Sequence, residues 1–152
     1  MLDYFYNIDT SSIKDKTIII DIDGTLVPDG EEIVEERNIK VIKSLTERND
    51  LFLCSNKSIP ARNISVSRQL GIPLIETKFK KPNKKIIYSI NNYQLKNFLV
   101  IGDKYIKDEI FAKRIGADFI KVRRIRSKKE SVLVKIIYVI DDIVYFLKYF
   151  LV

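Results

Sequence analysis

Apolar residues in this 152-residue chain fall into short β-branched runs that alternate with longer stretches of helical spacing. Residues 17–22, Thr-Ile-Ile-Ile-Asp-Ile, make a nearly continuous apolar run, the pattern of a strand buried on both faces. Residues 31–48 open on glutamates and then set Ile33, Val34, Ile39, Val41, Ile42 and Leu45 along one helix. Strand 51–54, helix 58–70, a short strand near 73–75 and helix 83–92 follow. Strand 98–102, helix 105–115 and strand 118–122 continue the alternation. Gly71-Ile72-Pro73 and Gly116-Ala117-Asp118 are helix stops placed just ahead of strands. This order predicts right-handed βαβ units in a single domain spanning 1–152. The fold class is α/β: a three-layer, Rossmann-like parallel sheet of about five strands with helices on both faces.

Residues 131–152 follow a different rule. Leu133, Ile136, Ile137, Ile140, Ile143, Val144, Leu147 and Leu151 share one helical face, and Lys135, Tyr138, Asp142, Tyr145 and Tyr149 lie opposite. Asp141-Asp142 at the centre argues against a membrane span, because each carboxylate there costs about 2.5–3.5 kcal/mol to insert. The simplest expectation for this amphipathic helix is that its apolar stripe docks on the domain's own sheet. Its alternatives are a surface for homo-oligomerisation and peripheral contact of 121–152 with an anionic membrane. The basic run Lys121, Arg123, Arg124, Arg126, Lys128 and Lys129 favours the membrane. Met1-Leu2-Asp3-Tyr4-Phe5-Tyr6 has neither a basic segment nor a long apolar one, so no signal peptide is expected.

Composition removes several chemistries. At 46% hydrophobic and 31% charged, with 5 Gly and 4 Pro, the chain is neither disordered nor collagen-like. It contains 1 Cys and no His, which excludes a disulfide within the chain, a histidine zinc site, a Ser-His-Asp triad and a phosphohistidine. A lone thiol fits a reducing cytoplasm, and the expected location is cytoplasmic, with possible membrane association at the inner surface. Position 60, six places after Cys54, is Pro, so a cysteine-phosphatase loop is absent, and Cys54 reads as a buried strand end. The net charge of +7 is uneven: Lys78–Lys129 holds 16 basic and 4 acidic residues, against 9 and 13 in residues 1–77. The basic half could attract phosphate esters, anionic lipid or nucleic acid.

Candidate chemistry gathers at strand ends. Asp21 and Asp23, two apart at the end of the first strand, could aim at one point, where like charges call for a cation between them. Ser55-Asn56 ends the second strand, Gly102-Asp103 ends the strand at 98–102, and Lys81-Pro82 precedes a crossover helix. In an open parallel sheet these positions converge on the ligand-binding edge. Lys104 and Lys107, just beyond Asp103, read as helix-face charges.

With these motifs in this order, the chain resembles the haloacid dehalogenase (HAD) superfamily of phosphohydrolases. The matching segments are Asp21-Ile22-Asp23-Gly24-Thr25-Leu26, Ser55-Asn56, Lys81-Pro82 and Gly102-Asp103-Lys104-Tyr105-Ile106-Lys107-Asp108. The gaps of 32 residues from Asp23 to Ser55 and 26 from Ser55 to Lys81 leave no room for a cap domain. The resemblance therefore runs to the capless subfamily IIIA, and within it to the YqeG-like group, which includes phosphatidylglycerophosphate phosphatases. Leu53-Cys54-Ser55-Asn56, Leu70-Gly71-Ile72-Pro73 and Lys80-Lys81-Pro82 support that match; Gly24, where the group often has Asn, departs from it.

The resemblance implies an HAD-type phosphatase that hydrolyses phosphomonoesters through an aspartyl-phosphate. Asp21 would be the nucleophile and Asp23 the acid/base, with Gly24 and Thr25 shaping the turn between them and the phosphate. Ser55 and Asn56 would bind the phosphoryl oxygens, and Lys81 would join Asp21 to the phosphate. Mg²⁺ would be held by Asp21, the Asp23 carbonyl and Asp103, with Asp108 ligating through water or bracing the site. Large or surface-bound substrates suit an open site, phosphatidylglycerophosphate among them. The alternatives are a nucleic-acid end phosphatase, a sugar-phosphate phosphatase, and a non-catalytic scaffold on the same fold. Nucleic acid ranks below lipid, because few aromatics (Phe79, Tyr88, Tyr93) interleave the basic half.

Overall fold

In the computed structural model, which describes residues 2–150, the isoleucine run forms strand β1 (Thr17–Asp21), buried at every position. β2 (Asp50–Cys54) pairs along one side of it and β3 (Phe98–Gly102) along the other, and β4 (Asp118–Lys121) adds beyond β3. All pairs are parallel, in the order β2-β1-β3-β4. The chain therefore winds away from β1 in both directions, which opens a crevice at the carboxyl end of β1.

Alternation along the strands sorts the core into two layers. Ile18, Ile20, Leu53, Leu99 and Ile101 pack against helices α1 (Glu36–Thr46) and α2 (Pro60–Leu70), through Ile42, Leu45, Val66 and Leu70. Ile19, Cys54, Phe98 and Val100 meet Ile86, Ile87, Phe111 and Ala112 on the other face, the last two from helix α3 (Ile110–Ile115). Ile18, Ile19 and Ile20 are each 0% exposed. Burial of a side chain of that size contributes about 1.5–3 kcal/mol. No cap domain interrupts the described residues.

Several elements differ from their sequence patterns. The fifth strand, expected near 73–75, is reduced to one bridge between Leu53 and Leu74, because Pro73 has no N–H and sits at the sheet edge. Residues 83–92 form no α-helix but a 3₁₀ segment, Lys84–Ser89, entered by an Asn83 side chain that accepts from the Lys85 N–H. Residues 31–35 stay extended instead of opening α1, tied to α2 by Arg62 and Gln69 donating to the Glu31 and Glu32 carbonyls. Residues 105–109 form a π-turn, Tyr105–Glu109, ahead of α3.

The terminal helix α4 (Val132–Phe150) docks on the domain with the face opposite to the expected one. Leu133, Ile136, Ile137, Ile140, Ile143 and Leu147 are exposed, Val144 is half-buried, and the buried residues are Tyr138 and Asp141. Both faces of the sheet are already covered, so α4 meets the polar carboxyl edge, which offers N–H donors and cations instead of apolar surface. Asp141 accepts from the N–H groups of Tyr105 (2.9 Å) and Ile106 (2.8 Å). Tyr138 lies under the Arg124 guanidinium, 4.0 Å from its ring centre, and donates to Asp29 Oδ2 at 3.3 Å. Leu151 of the expected stripe lies outside the described residues.

Candidate active site at the carboxyl edge of the sheet

Strand register decides what meets at the crevice. Asp21 pairs with Cys54 and Ile20 with Ile101, so Ser55 and Asp103 begin one step beyond the level of Asp21. Asp21 is 5% exposed. Its Oδ1 accepts from Lys81 Nζ at 2.5 Å, while Oδ2 is buried with no hydrogen-bond partner. Burial alone would raise the Asp21 pKa; Lys81 and Lys104 outweigh it and hold the carboxyl below its ordinary value.

Lys81 Nζ also donates to Asp108 Oδ1 at 2.6 Å, so a single ammonium bridges two carboxylates. Asn56 fixes the Lys81 backbone from both sides: Oδ1 accepts from its N–H at 2.7 Å and Nδ2 donates to its carbonyl at 2.9 Å. Asn56 is thereby beside the site with its amide engaged. Asp108, 0% exposed, sits on the π-turn and accepts from the Lys104 N–H at 3.0 Å. A Cβ at Gly102 would collide with its carboxyl, so glycine is required there. Burial first and the Asp21 charge second push the Asp108 pKa up to about 6, against the pull of Lys81 and Lys104.

Asp103 is clasped by cations on both oxygens. Lys104 Nζ donates to Oδ1 at 2.6 Å and Arg124 Nε to Oδ2 at 2.5 Å, with Thr25 Oγ1 at 3.5 Å from Oδ1. Gly24, at φ +87°, makes the turn that follows β1, and a Cβ there would come within 2.7 Å of Asp103 Oδ2. Asp23 points to a different partner set. Arg62 grips it bidentately (2.8 and 3.2 Å), Ser55 Oγ donates to Oδ2 at 3.1 Å, and the Gly30 N–H donates to Oδ1 at 3.1 Å. Asp21 and Asp23 thus take different cations instead of sharing one.

All the residues singled out in the sequence gather here: Asp21, Asp23, Gly24, Thr25, Ser55, Asn56, Lys81, Asp103 and Asp108. Carboxylate oxygens of Asp21, Asp103 and Asp108 lie within 4.8 Å of one another. This all-oxygen set suits Mg²⁺, and Asp21 Oδ2, buried without a hydrogen-bond donor, fits an added cation. Three cations were not legible as site residues. Lys104, expected on a helix face, is 6% exposed and aimed inward, because the π-turn directs it back under the strand ends, while Lys107 stays half-buried on the turn. Arg62, 6% exposed on the first turn of α2, and Arg124, after β4, carry no motif; their signal is only proximity to strand ends.

A cleft of about 230 Å³ lined by Asp103, Lys121, Arg124, Arg126 and Asp142 opens beside the site. Larger hollows, about 490 and 470 Å³, lie at the opposite edge, where Thr17 and Asp50 begin their strands, far from this chemistry.

Residues 18–73, from β1 to the turn after α2, match the model of the haloacid dehalogenase-like hydrolases. No curated protein is significantly similar to the chain in sequence. Among solved structures the chain is similar to YfnB of Bacillus subtilis, described as a HAD-hydrolase and crystallised bound to magnesium. Identity is 18% and the TM-score 0.48, over 69% of this chain and 55% of YfnB.

Proposed function

We propose that the protein is a Mg²⁺-dependent phosphomonoester hydrolase that works through an aspartyl-phosphate on Asp21. The observation that carries this reading is Asp21 Oδ2: a buried carboxylate oxygen at the end of a strand that accepts no hydrogen bond, with only the Lys104 ammonium 3.5 Å away, while its twin is held by Lys81. A nucleophile needs one free oxygen in a fixed orientation, and a merely structural carboxylate would have both engaged. The match of residues 18–73 to HAD-like hydrolases supports the same chemistry.

In this mechanism Lys81 and Ser55 hold the phosphoryl group. Asp21 Oδ2 attacks phosphorus as the ester P–O bond breaks, and Asp23, which has to take up a proton from solvent or from the arriving phosphate monoanion before this step, gives that proton to the leaving oxygen. Asp23 then takes a proton from water, whose oxygen attacks phosphorus, releasing phosphate and restoring Asp21. Both oxygens of Asp23 are engaged by Arg62, Ser55 and Gly30, so it gives up at least one donor to do this. Mg²⁺ held by Asp21, Asp103, Asp108 and the Asp23 carbonyl would offset the charge between carboxylate and phosphate.

The substrate class we favour is a lipid phosphomonoester such as phosphatidylglycerophosphate, reached from an anionic membrane surface of the cytoplasm. Its support is the outer face of α4, where Leu133, Ile136, Ile140, Ile143 and Leu147 are 46–68% exposed beside exposed Arg123, Arg126, Lys128, Lys129 and Lys135. That combination complements an anionic bilayer and repels a second copy of a chain with net charge +7. No helix among the described residues is long and apolar enough to cross a membrane. The test is phosphate release, with and without Mg²⁺, from p-nitrophenyl phosphate, phosphatidylglycerophosphate micelles, sugar phosphates and a 3′-phosphorylated oligonucleotide. Release that needs Mg²⁺ and vanishes in Asp21→Asn is expected, with the lipid turned over fastest; no release from any substrate would overturn the reading.

A further inference from the structure

The position that the metal would take is held by an ammonium of the chain itself. Lys104 Nζ donates to the Asp23 main-chain carbonyl at 2.6 Å and to Asp103 Oδ1 at 2.6 Å, and stands 3.5 Å from Asp21 Oδ2. Those are three of the four groups assigned above to Mg²⁺; the fourth, Asp108, accepts from the Lys104 main-chain N–H. The surrounding charges balance: Asp21, Asp23, Asp103 and Asp108 face Lys81, Lys104, Arg62 and Arg124. A divalent cation added to a balanced buried cluster leaves charge uncompensated where water cannot screen it, and repels the ammonium already there.

We propose that Lys104 is the resident cation of the metal site: it must leave its oxygen partners before Mg²⁺ enters, and so it keeps metal affinity low until phosphate arrives. The proposal rests on the metal site described above. Lys104 can leave without unfolding anything. Its ammonium sits on a flexible four-carbon stem, while its backbone N–H stays on Asp108 Oδ2. A phosphate dianion gives the displaced ammonium a new partner, and Mg²⁺ with a phosphate dianion adds no net charge to the cluster. Metal and phosphate therefore bind cooperatively, each strengthening the other by the same factor.

The test uses the metal alone, without turnover. Mg²⁺ affinity is measured by calorimetry on the wild type, Lys104→Gln and Lys107→Gln, with and without inorganic phosphate. Removal of the resident ammonium is expected to tighten Mg²⁺ about tenfold or more, a typical coupling between sites. Lys107→Gln, which removes a nearby charge with no contact to the three oxygens, should change it much less. Phosphate should tighten Mg²⁺ in the wild type and have less effect in Lys104→Gln. Equal affinities in the wild type and Lys104→Gln, absence of binding in both, or equal gains in the two variants would overturn the proposal.

A second readout uses unaltered protein, should Lys104→Gln fail to fold. Reductive methylation followed by peptide mass mapping should label Lys104 poorly alone and readily with Mg²⁺ and phosphate; unchanged labelling at saturating metal overturns the proposal. Mg²⁺-dependent hydrolysis with equal affinities would sink only this inference. Tighter Mg²⁺ in Lys104→Gln without any hydrolysis would sink only the phosphatase reading.

Discussion

The carboxyl edge of the sheet and the outer face of α4 lie on either side of one helix and break the usual partition in opposite ways. At the edge, four carboxylates and four cations are taken out of water. On the outer face, large aliphatic side chains are left in it. Buried charge is costly and is held here by cross-bracing; an exposed apolar face of this kind is the surface on which the proposed membrane contact rests. Between them, the inner face of α4 serves the edge by capping the π-turn with Asp141 and stacking Tyr138 on Arg124. The comparison teaches that the same helix reads as two surfaces of different purpose.

The comparison can be broken most severely at Asp21. Asp21→Asn should cut hydrolysis by about a thousandfold or more, as expected for loss of a nucleophile, while circular dichroism and cooperative melting persist. Next comes Arg62→Met, which leaves Asp23 buried without its bidentate partner. We expect it to destabilise by about 3–5 kcal/mol in denaturant titration, with Arg62→Lys recovering only part because one ammonium cannot grip both oxygens. Asp141→Ala strips the acceptor from the Tyr105 and Ile106 N–H groups and should cost about 1–3 kcal/mol. Hydrogen exchange at those two amides is the check.

Smaller effects sharpen the other side. Ile136→Ser with Ile140→Ser should leave melting within about 0.5 kcal/mol of wild type, as for exposed positions, yet weaken sedimentation with anionic vesicles. Sedimentation with neutral vesicles as strong as with anionic ones, or a concentration-dependent dimer lost in the double variant, would replace the membrane by another occupant. Cys54 should be the quietest probe. Burial pushes its thiol up to about 11, so below that pH it stays protonated, and alkylation should follow only global unfolding.

Much of the fold was legible because its signals are local. The run Ile18-Ile19-Ile20 has one sensible use, and the carboxylates that end it fall at the edge where parallel sheets bind ligands. Lys81 stood out from Lys78, Lys80, Lys84 and Lys85 only because Pro82 follows it. Lys104 and Arg62 were hidden for a physical reason: a lone cation beside other lysines or on a helix looks solvated until the backbone direction is known. The α4 pattern separated an apolar from a polar face correctly but could not say which one docks. That depends on what the neighbouring surface offers, and here it offers N–H groups and cations. Residues 83–92 misled because Asn83, extended and capping a 3₁₀ turn, and Asn92, left-handed, divert the backbone on either side of an apolar pair, Ile86-Ile87.

The stretch Arg126-Ser127-Lys128-Lys129, with its three cations exposed, lies between β4 and α4, after Arg124, the last residue in sequence to reach the carboxyl edge from β4, and before the brace Asp141. A trypsin-like protease cutting there would leave Asp21, Asp23, Ser55, Lys81, Asp103 and Asp108 on one fragment and their roof on the other. The amides of Tyr105 and Ile106 would lose their acceptor and Arg124 its stacking partner once the fragments separated. One cleavage outside every motif would thus silence the site, and the time between that cut and loss of activity would measure how long α4 stays docked unaided.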